Sequence, residues 1–526
     1  MPASFRVAPR VASFPVISVS HFREAVTRVG DEVYSSQQLL QVHGATAGKI
    51  QLLVLRNALA CVMCAVATNG CFYAGNIFSH KPSTKQTRSE FLMATLLWSA
   101  ISFSAIMLIA HLPSLLTQRF LKFPDYHPGV WFCAKKLMKG SSPYFAATLG
   151  SMVCLGLLVQ HTPVLMRDIS QFKLHFYLGD LCNLIFTAGI TLTVRRIYYK
   201  ETQQGRERSL TLKVQIASQS APQAMARVKK FRPPSFWREY RKKLPDAVLV
   251  AFAGGYVHAV SSFRILDRGE MAIGLFALSG VILKLAIQES AKRYIIRKGV
   301  RSIHTMCMIV GVPTVLINTQ TRLVLLGTQT NALLVTGTFG MALAEVCLRA
   351  GKAVYIVWGI RRRARADGQV YQQCSLVSTT SKSRKSSSVF PSFTPPIVKM
   401  EFKQWRRQVL SYHTAELTAD MYAEYIAIGC SHSIMFWYAG HPFYPALRVK
   451  AGGNLSEGIT RWRINQIAML AFQFVVVVIV DYICVVMEMA IGIEFNRIKG
   501  LSAFLGVLFM AMAVLTINIS ASIYLS

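Results

Sequence analysis

An acidic residue, Asp481, stands in the middle of an almost entirely apolar run, FQFVVVVIVDYICVVMEMAIG, at residues 472–492. Glu488 follows seven residues later and falls on nearly the same face of a helix, with Gln473 nearer the edge of that face. A charged acid at the centre of a bilayer costs about 2.5–3.5 kcal/mol on insertion scales, so such residues usually face other helices or a water-filled cavity. Asp481 and Glu488 are therefore candidates for an ion or proton path through a membrane.

A second set of acids occurs in HTAELTADMYAEYIAIGCSHSIMFWYAG, residues 413–440, where Glu416, Asp420 and Glu424 recur at intervals of four. This spacing places three carboxylates along one helix face, where they repel one another unless cations offset them. Two interpretations remain open. In the favoured one, the acids lie near a helix N-terminus, are stabilised by the helix dipole and face Lys- and Arg-rich loops. In the other, they line a cation vestibule leading towards Glu424 and His432, and Glu424 joins the candidates for the ion or proton path.

Four further ionisable residues lie within apolar runs. Asp180 and His258 are candidates for the same path, because intramembrane ionisable side chains are often functional. For His258, a hydrogen bond to a neighbouring helix is the simpler interpretation. Lys284 and Glu345 lie close to the inner ends of predicted spans. There Lys284 can extend to the interface and Glu345 can pair with Arg349 at i,i+4, so both are expected to be structural.

The composition indicates that these side chains lie in a membrane protein. Of 526 residues, 52% are hydrophobic and only 16% are charged, whereas soluble domains carry about 25% charged residues. A spanning helix needs about 20 predominantly apolar residues. Runs that approach or meet this length predict an all-α polytopic bundle of about eleven transmembrane helices, or ten if 415–439 does not cross. The predicted spans are 58–78, 91–116, 144–165, 176–194, 247–263, 271–287, two within 303–348 separated near Arg322, 415–439, 467–489 and 501–525.

The distribution of Lys and Arg tests this arrangement, since cytoplasmic loops hold the excess of positive charge. With the N-terminus in the cytosol, the inner segments hold 42 Lys and Arg residues and the outer segments hold eight. The inner segments are 1–50, 117–143, 195–245, 288–302 and 349–410, and the outer segments are 79–90, 166–175, 264–270 and 320–322. The following segment, 440–464, is outside if 415–439 crosses, and Asn454 there begins a glycosylation sequon. We therefore predict an integral protein of the plasma membrane or an endomembrane.

These predicted spans divide the chain into six parts. They are a cytosolic tail (1–50), a first bundle of four spans (51–194), a basic cytosolic loop (195–245), a second bundle of four spans (246–348), a basic Ser-rich cytosolic loop (349–410) and two or three C-terminal spans (411–526). The two loops carry fourteen and thirteen Lys and Arg residues against three and two acids. Such composition is typical of disordered segments.

Both loops end in a double proline followed by aromatic and basic residues, PPSFWREYRKKL at 233–244 and PPIVKMEFKQWRRQVL at 395–410. Trp partitions to the headgroup layer and Lys and Arg attract anionic lipid, so these segments predict anchors on the cytosolic leaflet. Ordinary positively charged flanking of a span explains them equally well. The anchor candidates are Trp237, Arg238, Arg241, Lys242 and Lys243 in the first segment and Trp405, Arg406 and Arg407 in the second. Phosphorylation of Ser386, Ser387 or Ser388 is predicted to weaken such lipid contact.

The sequence contains no recognisable catalytic or nucleotide-binding motif, whether P-loop, G-x-G-x-x-G, H-E-x-x-H or G-x-S-x-G. Cys61 and Cys64 form a C-x-x-C pair without a second half, so neither a metal site nor a cofactor is predicted. The basic residues lie between apolar runs and form no nucleic-acid-binding module. A transporter or channel is the favoured function, a receptor whose basic loops dock partners is the alternative, and an enzyme is disfavoured.

Overall fold

The computed structural model describes residues 19–122, 127–162, 172–208, 235–262, 269–300, 302–327, 331–380, 402–447, 455–491, 493, 495 and 501–525. Within these ranges the secondary structure is helical, with one isolated antiparallel bridge between Phe120 and Thr202. The described ranges contain eleven long helices. They are α1 (Val19–Ala74), α2 (Arg88–Leu116), α3 (Val130–His161), α4 (Leu174–Glu201), α5 (Phe236–Ser262), α6 (Glu270–Lys298), α7 (Ile303–Leu326), α8 (Asn331–Thr380), α9 (Phe402–Tyr438), α10 (Leu455–Ala490) and α11 (Ser502–Tyr524).

Eight helices in the described part of the chain are long and apolar enough to cross a membrane, namely α1, α2, α3, α4, α6, α7, α10 and α11. A ninth candidate is α5, if Phe236–Pro245 and Val250–Ser262, bent by 43°, form one broken span. Pro245 inside α5 removes a backbone N–H donor, which accounts for a bend there. These helices fit a multi-pass integral membrane protein, as the sequence predicts. The number of about eleven spans stays a prediction, because α8 and α9 do not belong to this set.

At the centre of the bundle lies α9, in which every residue from 412 to 435 is buried. It packs most extensively against α7 and also contacts α1, α10 and α11. The approach to α1 is close, because a side chain at Gly429 would overlap Val62. Towards α11, Tyr422 stacks on Phe509 with ring centroids 4.6 Å apart. Since no face of α9 is free, its polar side chains must find their partners on neighbouring helices.

The helices α2 to α5 form a second group beside this core. A separate apolar cluster that includes Phe186 fills the space between α2, α3 and α4. The start of α4 is fixed to the end of α11, because Lys173 Nζ donates a hydrogen bond of 2.6 Å to the backbone oxygen of Leu525. This contact joins the two groups of helices at one end of the bundle.

Two predicted boundaries in the second half of the chain are wrong. The two helices expected within 303–348 are present, but the break expected near Arg322 lies further along the chain, since α7 continues to Leu326 before α8 begins at Asn331. The loop expected from residue 349 begins as helix, since α8 continues to Thr380. Both errors have one physical cause: a hydropathy profile treats an arginine as a charge exposed to lipid, whereas these two arginines are buried beside carboxylates.

The candidate lipid anchors lie at helix starts. Trp237 is 70% exposed in the first turn of α5, while the nearby Glu239 pairs with Arg195 and Lys242 at 2.7 and 2.8 Å. The guanidinium of Arg363 lies 4.4 Å from the ring centroid of Trp405. Lipid anchoring stays a prediction. Ser386, Ser387, Ser388 and Asn454 lie outside the described residues.

Candidate functional site

Two of the three α9 acids, Glu416 and Asp420, contact side chains of α6 and α8. Lys352 of α8 donates hydrogen bonds of 2.9 Å to Glu416 and 2.7 Å to Gln288 of α6. Gln288 in turn donates to Asp420 at 2.8 Å, and Lys284, one turn earlier on α6, lies 3.3 Å from the same carboxylate. We call this continuous series, from Glu416 to Lys284, the first polar chain.

A second polar chain begins at Glu424, one turn further along α9. Its carboxylate accepts hydrogen bonds from Arg322 and, at 3.0 Å, from Asn318, both on α7. Arg322 also donates at 3.2 Å to the amide oxygen of Gln473 on α10, which lies 3.3 Å from His432 Nε2. The second polar chain thus leaves α9 at Glu424, crosses α7 and α10, and returns to α9 at His432.

The acids of α10 have their partner on α8. Arg349 Nη1 donates a hydrogen bond of 2.6 Å to Asp481, and its Nε and Nη2 donate at 3.0 and 3.1 Å to Glu488. Both acids are 0% exposed. The Tyr425 hydroxyl of α9, which accepts a hydrogen bond from Gln51, lies beside Asp481. The acid-bearing face of α10 is therefore directed at other helices. This orientation is expected, because a carboxylate that faces lipid is energetically costly.

A cavity of about 110 Å³ separates the two polar chains. Side chains of α6, α7, α8 and α9 line it, and the hydrogen bond between Lys352 of α8 and Gln288 of α6 closes one part of its wall. Lys284 and Asp420 of the first chain border the cavity, as do Glu424 and Arg322 of the second. A buried water needs about 10–15 Å³ of such volume, so several waters or a small ion fit between the chains.

The charges around this cavity do not balance. Six carboxyl groups take part in the ion pairs around it, against four Lys and Arg side chains and one histidine, which is charged only when protonated. The carboxyl groups belong to Glu345, Glu416, Asp420, Glu424, Asp481 and Glu488; the Lys and Arg side chains are Lys284, Arg322, Arg349 and Lys352, and the histidine is His413, 3.8 Å from Glu416. An uncompensated charge in a dry interior is costly, so this group of described residues favours additional positive charge, supplied as protons or cations.

Comparison with protein-family models, with curated proteins and with solved structures finds no match for this chain.

The geometry corrects the favoured interpretation of the α9 acids. Glu416 lies about four turns after the start of α9 at Phe402, whereas the helix dipole acts within the first turn. Compensation comes instead from side chains of neighbouring helices. One of them, Lys352, belongs to the segment predicted as a basic loop, but it is part of α8.

The expectation for Lys284 is wrong, whereas the i,i+4 pairing of Glu345 with Arg349 is confirmed. Lys284 does not extend to an interface; it faces Asp420 and borders the cavity. Glu345 does lie near Arg349, as the i,i+4 spacing predicts, but at 3.9 Å and without a hydrogen bond among the described contacts. The guanidinium of Arg349 is occupied by the acids of α10.

Two sequence candidates lie apart from this site. Asp180 is half-buried on α4 and His258 is half-buried on α5. Neither lines the cavity. The candidates that the structure brings close to it are Glu424, which lines the cavity, and Asp481 and Glu488, which bind Arg349 of its wall.

Sequence reasoning missed the cations and amides that complete the site, above all Arg322, Lys352 and Gln288, and it did not connect Arg349 with the acids of α10. A signal for them exists, because polar residues recur four apart on the three helices that line the cavity together with α9. The pairs are Lys284 and Gln288 on α6, Asn318 and Arg322 on α7, and Glu345 and Arg349 on α8. Four-residue spacing puts each pair on one helix face, the same argument that identified the acids of α9.

Proposed function

We propose that this protein is a membrane transporter that carries protons or small cations through the cavity bordered by Asp420 and Glu424. One observation carries the proposal: the cavity borders two hydrogen-bonded polar chains that both include acids of the buried helix α9. The ion-pair network around the cavity contains more carboxyl groups than Lys and Arg side chains. Intramembrane acids that face the interior of a bundle commonly mark ion and proton paths.

The length of the polar route supports this assignment. Glu416 and His432 are the ends of the two chains on α9, and sixteen residues separate them in the sequence. At 1.5 Å per residue this distance is about 24 Å. The hydrocarbon core of a bilayer is about 30 Å thick, so the polar groups extend over most of that thickness when α9 crosses the membrane.

The ion pairs suggest how entry is controlled. Lys284 pairs with Asp420 and Arg322 pairs with Glu424, one turn further along α9, and all four side chains line the cavity. A cation or proton that enters the cavity competes with Lys284 or Arg322 for the carboxylate, so it weakens the pair that it replaces. When the two pairs weaken in alternation, the cavity opens first towards one polar chain and then towards the other. A transporter requires such a shift between two conformational states.

Flux measurements in proteoliposomes test the proposal. The purified chain is reconstituted, a proton, Na⁺ or K⁺ gradient is imposed in turn, and entry is followed with a trapped pH- or cation-sensitive dye. We expect flux for at least one gradient and a loss of about tenfold or more for Asp420→Asn, equivalent to about 1.4 kcal/mol in the barrier.

A matched control is Glu289→Gln, which neutralises an acid on α6 that is half exposed and pairs with Lys292 and Arg293. This variant should transport like the native chain. Flux no greater than in empty liposomes under all three gradients, with the protein shown to be inserted and folded, would overturn the proposed function.

A further inference from the structure

We infer that Glu345 is the carboxyl group that takes up and releases the carried charge, and that this charge is a proton. The inference rests on the proposed function. Glu345 of α8 lines the cavity and its side chain is 17% exposed, whereas Asp481 and Glu488 are wholly buried behind it. It is therefore a carboxylate that water in the cavity reaches directly.

The hydrogen bonds single out Glu345 within the group of six carboxyl groups. Each of the other five has a nitrogen donor at 3.0 Å or less among the described contacts. The nearest cationic nitrogen to Glu345 belongs to Arg349, at 3.9 Å. That guanidinium already donates three hydrogen bonds to Asp481 and Glu488. Protonation of Glu345 consequently breaks no strong ion pair, unlike protonation of any of the others.

Charged side chains from every helix packed around Glu345 lie near its carboxylate. It faces Lys284 of α6, Arg322 of α7, Glu424 of α9 and Asp481 of α10, in addition to Arg349 on its own helix. Two acids near a third disfavour three simultaneous negative charges. A single proton neutralises one carboxyl group, and it binds most readily where no close ion pair has to be broken. Glu345 is that group, since its nearest cationic nitrogen is 3.9 Å away.

A proton fits this site better than a metal ion does. A metal cation needs several oxygen ligands, and most carboxylate oxygens here accept hydrogen bonds from arginine, lysine or amide donors. The described ranges contain no group of three or more His, Cys, Asp or Glu side chains placed to hold a metal. A proton needs one free oxygen. In the transfer, hydronium in the cavity gives its proton to a carboxylate oxygen of Glu345 and remains as water, and the reverse step releases it.

Two measurements on the reconstituted full chain test the inference. The variant E345Q imitates the protonated form and cannot exchange its proton, so proton flux should fall by about tenfold or more. The second measurement is the infrared difference spectrum between low and high pH, in which a titrating acid gives a C=O stretching band that shifts in D₂O. This band should be present in the native chain and absent in E345Q. The control E289Q should retain both flux and band.

Each outcome has a distinct meaning. Native flux that persists in E345Q, or an infrared band that survives in it, assigns the proton to another group and overturns the role of Glu345. Native flux that follows only Na⁺ or K⁺ overturns the proton as the carried ion. An absence of all native flux overturns the proposed function instead, and the infrared band still decides whether Glu345 titrates. If E345Q does not fold, E345D replaces it; an unshifted band in E345D would contradict the inference.

Discussion

Arg349 Nη1 donates a hydrogen bond of 2.6 Å to Asp481 Oδ1, and the same guanidinium binds both carboxylate oxygens of Glu488. One arginine of α8 thus joins two acids that lie two turns apart on α10. Three directed hydrogen bonds from a planar guanidinium fix the rotation of each helix relative to the other. The relationship explains how α10 can carry two acids in a nearly pure hydrocarbon sequence.

Removal of this arginine is the first prediction. Arg349→Met leaves the two buried carboxylates of α10 without their cationic partner, and breaking a buried ion pair costs about 3–5 kcal/mol. We expect the free energy of unfolding in detergent to fall by about that amount, measured by denaturant titration. Arg349→Lys should recover only part of the loss, because an ammonium group cannot bind Asp481 and Glu488 with the same directed donors.

A triple variant provides the control for this prediction. When Arg349→Met is combined with Asp481→Leu and Glu488→Met, neither acid of α10 remains as an unpaired charge, and apolar replacements of buried ion pairs are often neutral or stabilising. The triple variant should be more stable than Arg349→Met alone. Equal or lower stability would show that the loss came from packing and not from unpaired acids.

The sequence predicts the class of fold because that class depends on local properties. Apolar runs of about 20 residues mark helices, and the central part of each predicted span, such as 467–489 within α10, lies in a long helix. The sequence also shows that Asp481 and Glu488 must face inward, since their spacing and the cost of charge in lipid suffice for that conclusion.

The partners of those acids could not be predicted in the same way. Arg349 and Asp481 are 132 residues apart in the chain, and a single sequence carries no record of such a contact. A charged residue with no known partner also lowers the hydropathy of a predicted span. The predicted boundaries therefore fall near Arg322 and at Arg349, and the cavity between α6 and α8, which both arginines line, has no counterpart in the sequence.

The second prediction concerns the coupling between Arg322 and Glu424. Because the two side chains form a buried ion pair, Arg322→Met and Glu424→Gln should each destabilise the protein, and the double variant should cost less than the sum of the two. We expect a coupling energy of about 1–3 kcal/mol in a double-mutant cycle from unfolding measurements. The same cycle between Arg322 and Glu488, which share no contact, is the control and should be additive. Additivity in the first cycle would contradict the pairing.

The third prediction tests the close approach of α9 and α1. A Cβ atom at Gly429 overlaps the branched side chain of Val62, whereas one at Gly150 of α3 meets no atom within 4 Å. Alanine is intrinsically favoured over glycine in a helix by about 1 kcal/mol, so this benefit is common to both sites. Gly429→Ala should lower the thermal midpoint in detergent, because overpacking costs about 1–3 kcal/mol. Gly150→Ala should leave it unchanged or raise it, and a loss at Gly150 as large as that at Gly429 would contradict the packing argument.

The fourth prediction is that α9 crosses the membrane. It extends over 37 residues, or about 55 Å, more than the 30 Å or so of a bilayer core, and its residues 412–435 are all buried. Epitope tags inserted after residues 380 and 454 should therefore be accessible from opposite sides of sealed vesicles. A tag after residue 215 should share the side of the tag after 380, because the predicted segments between them cross an even number of times. If the tags at 380 and 454 label from the same side, α9 does not cross, and the polar chains along it cannot form a route from one face of the membrane to the other.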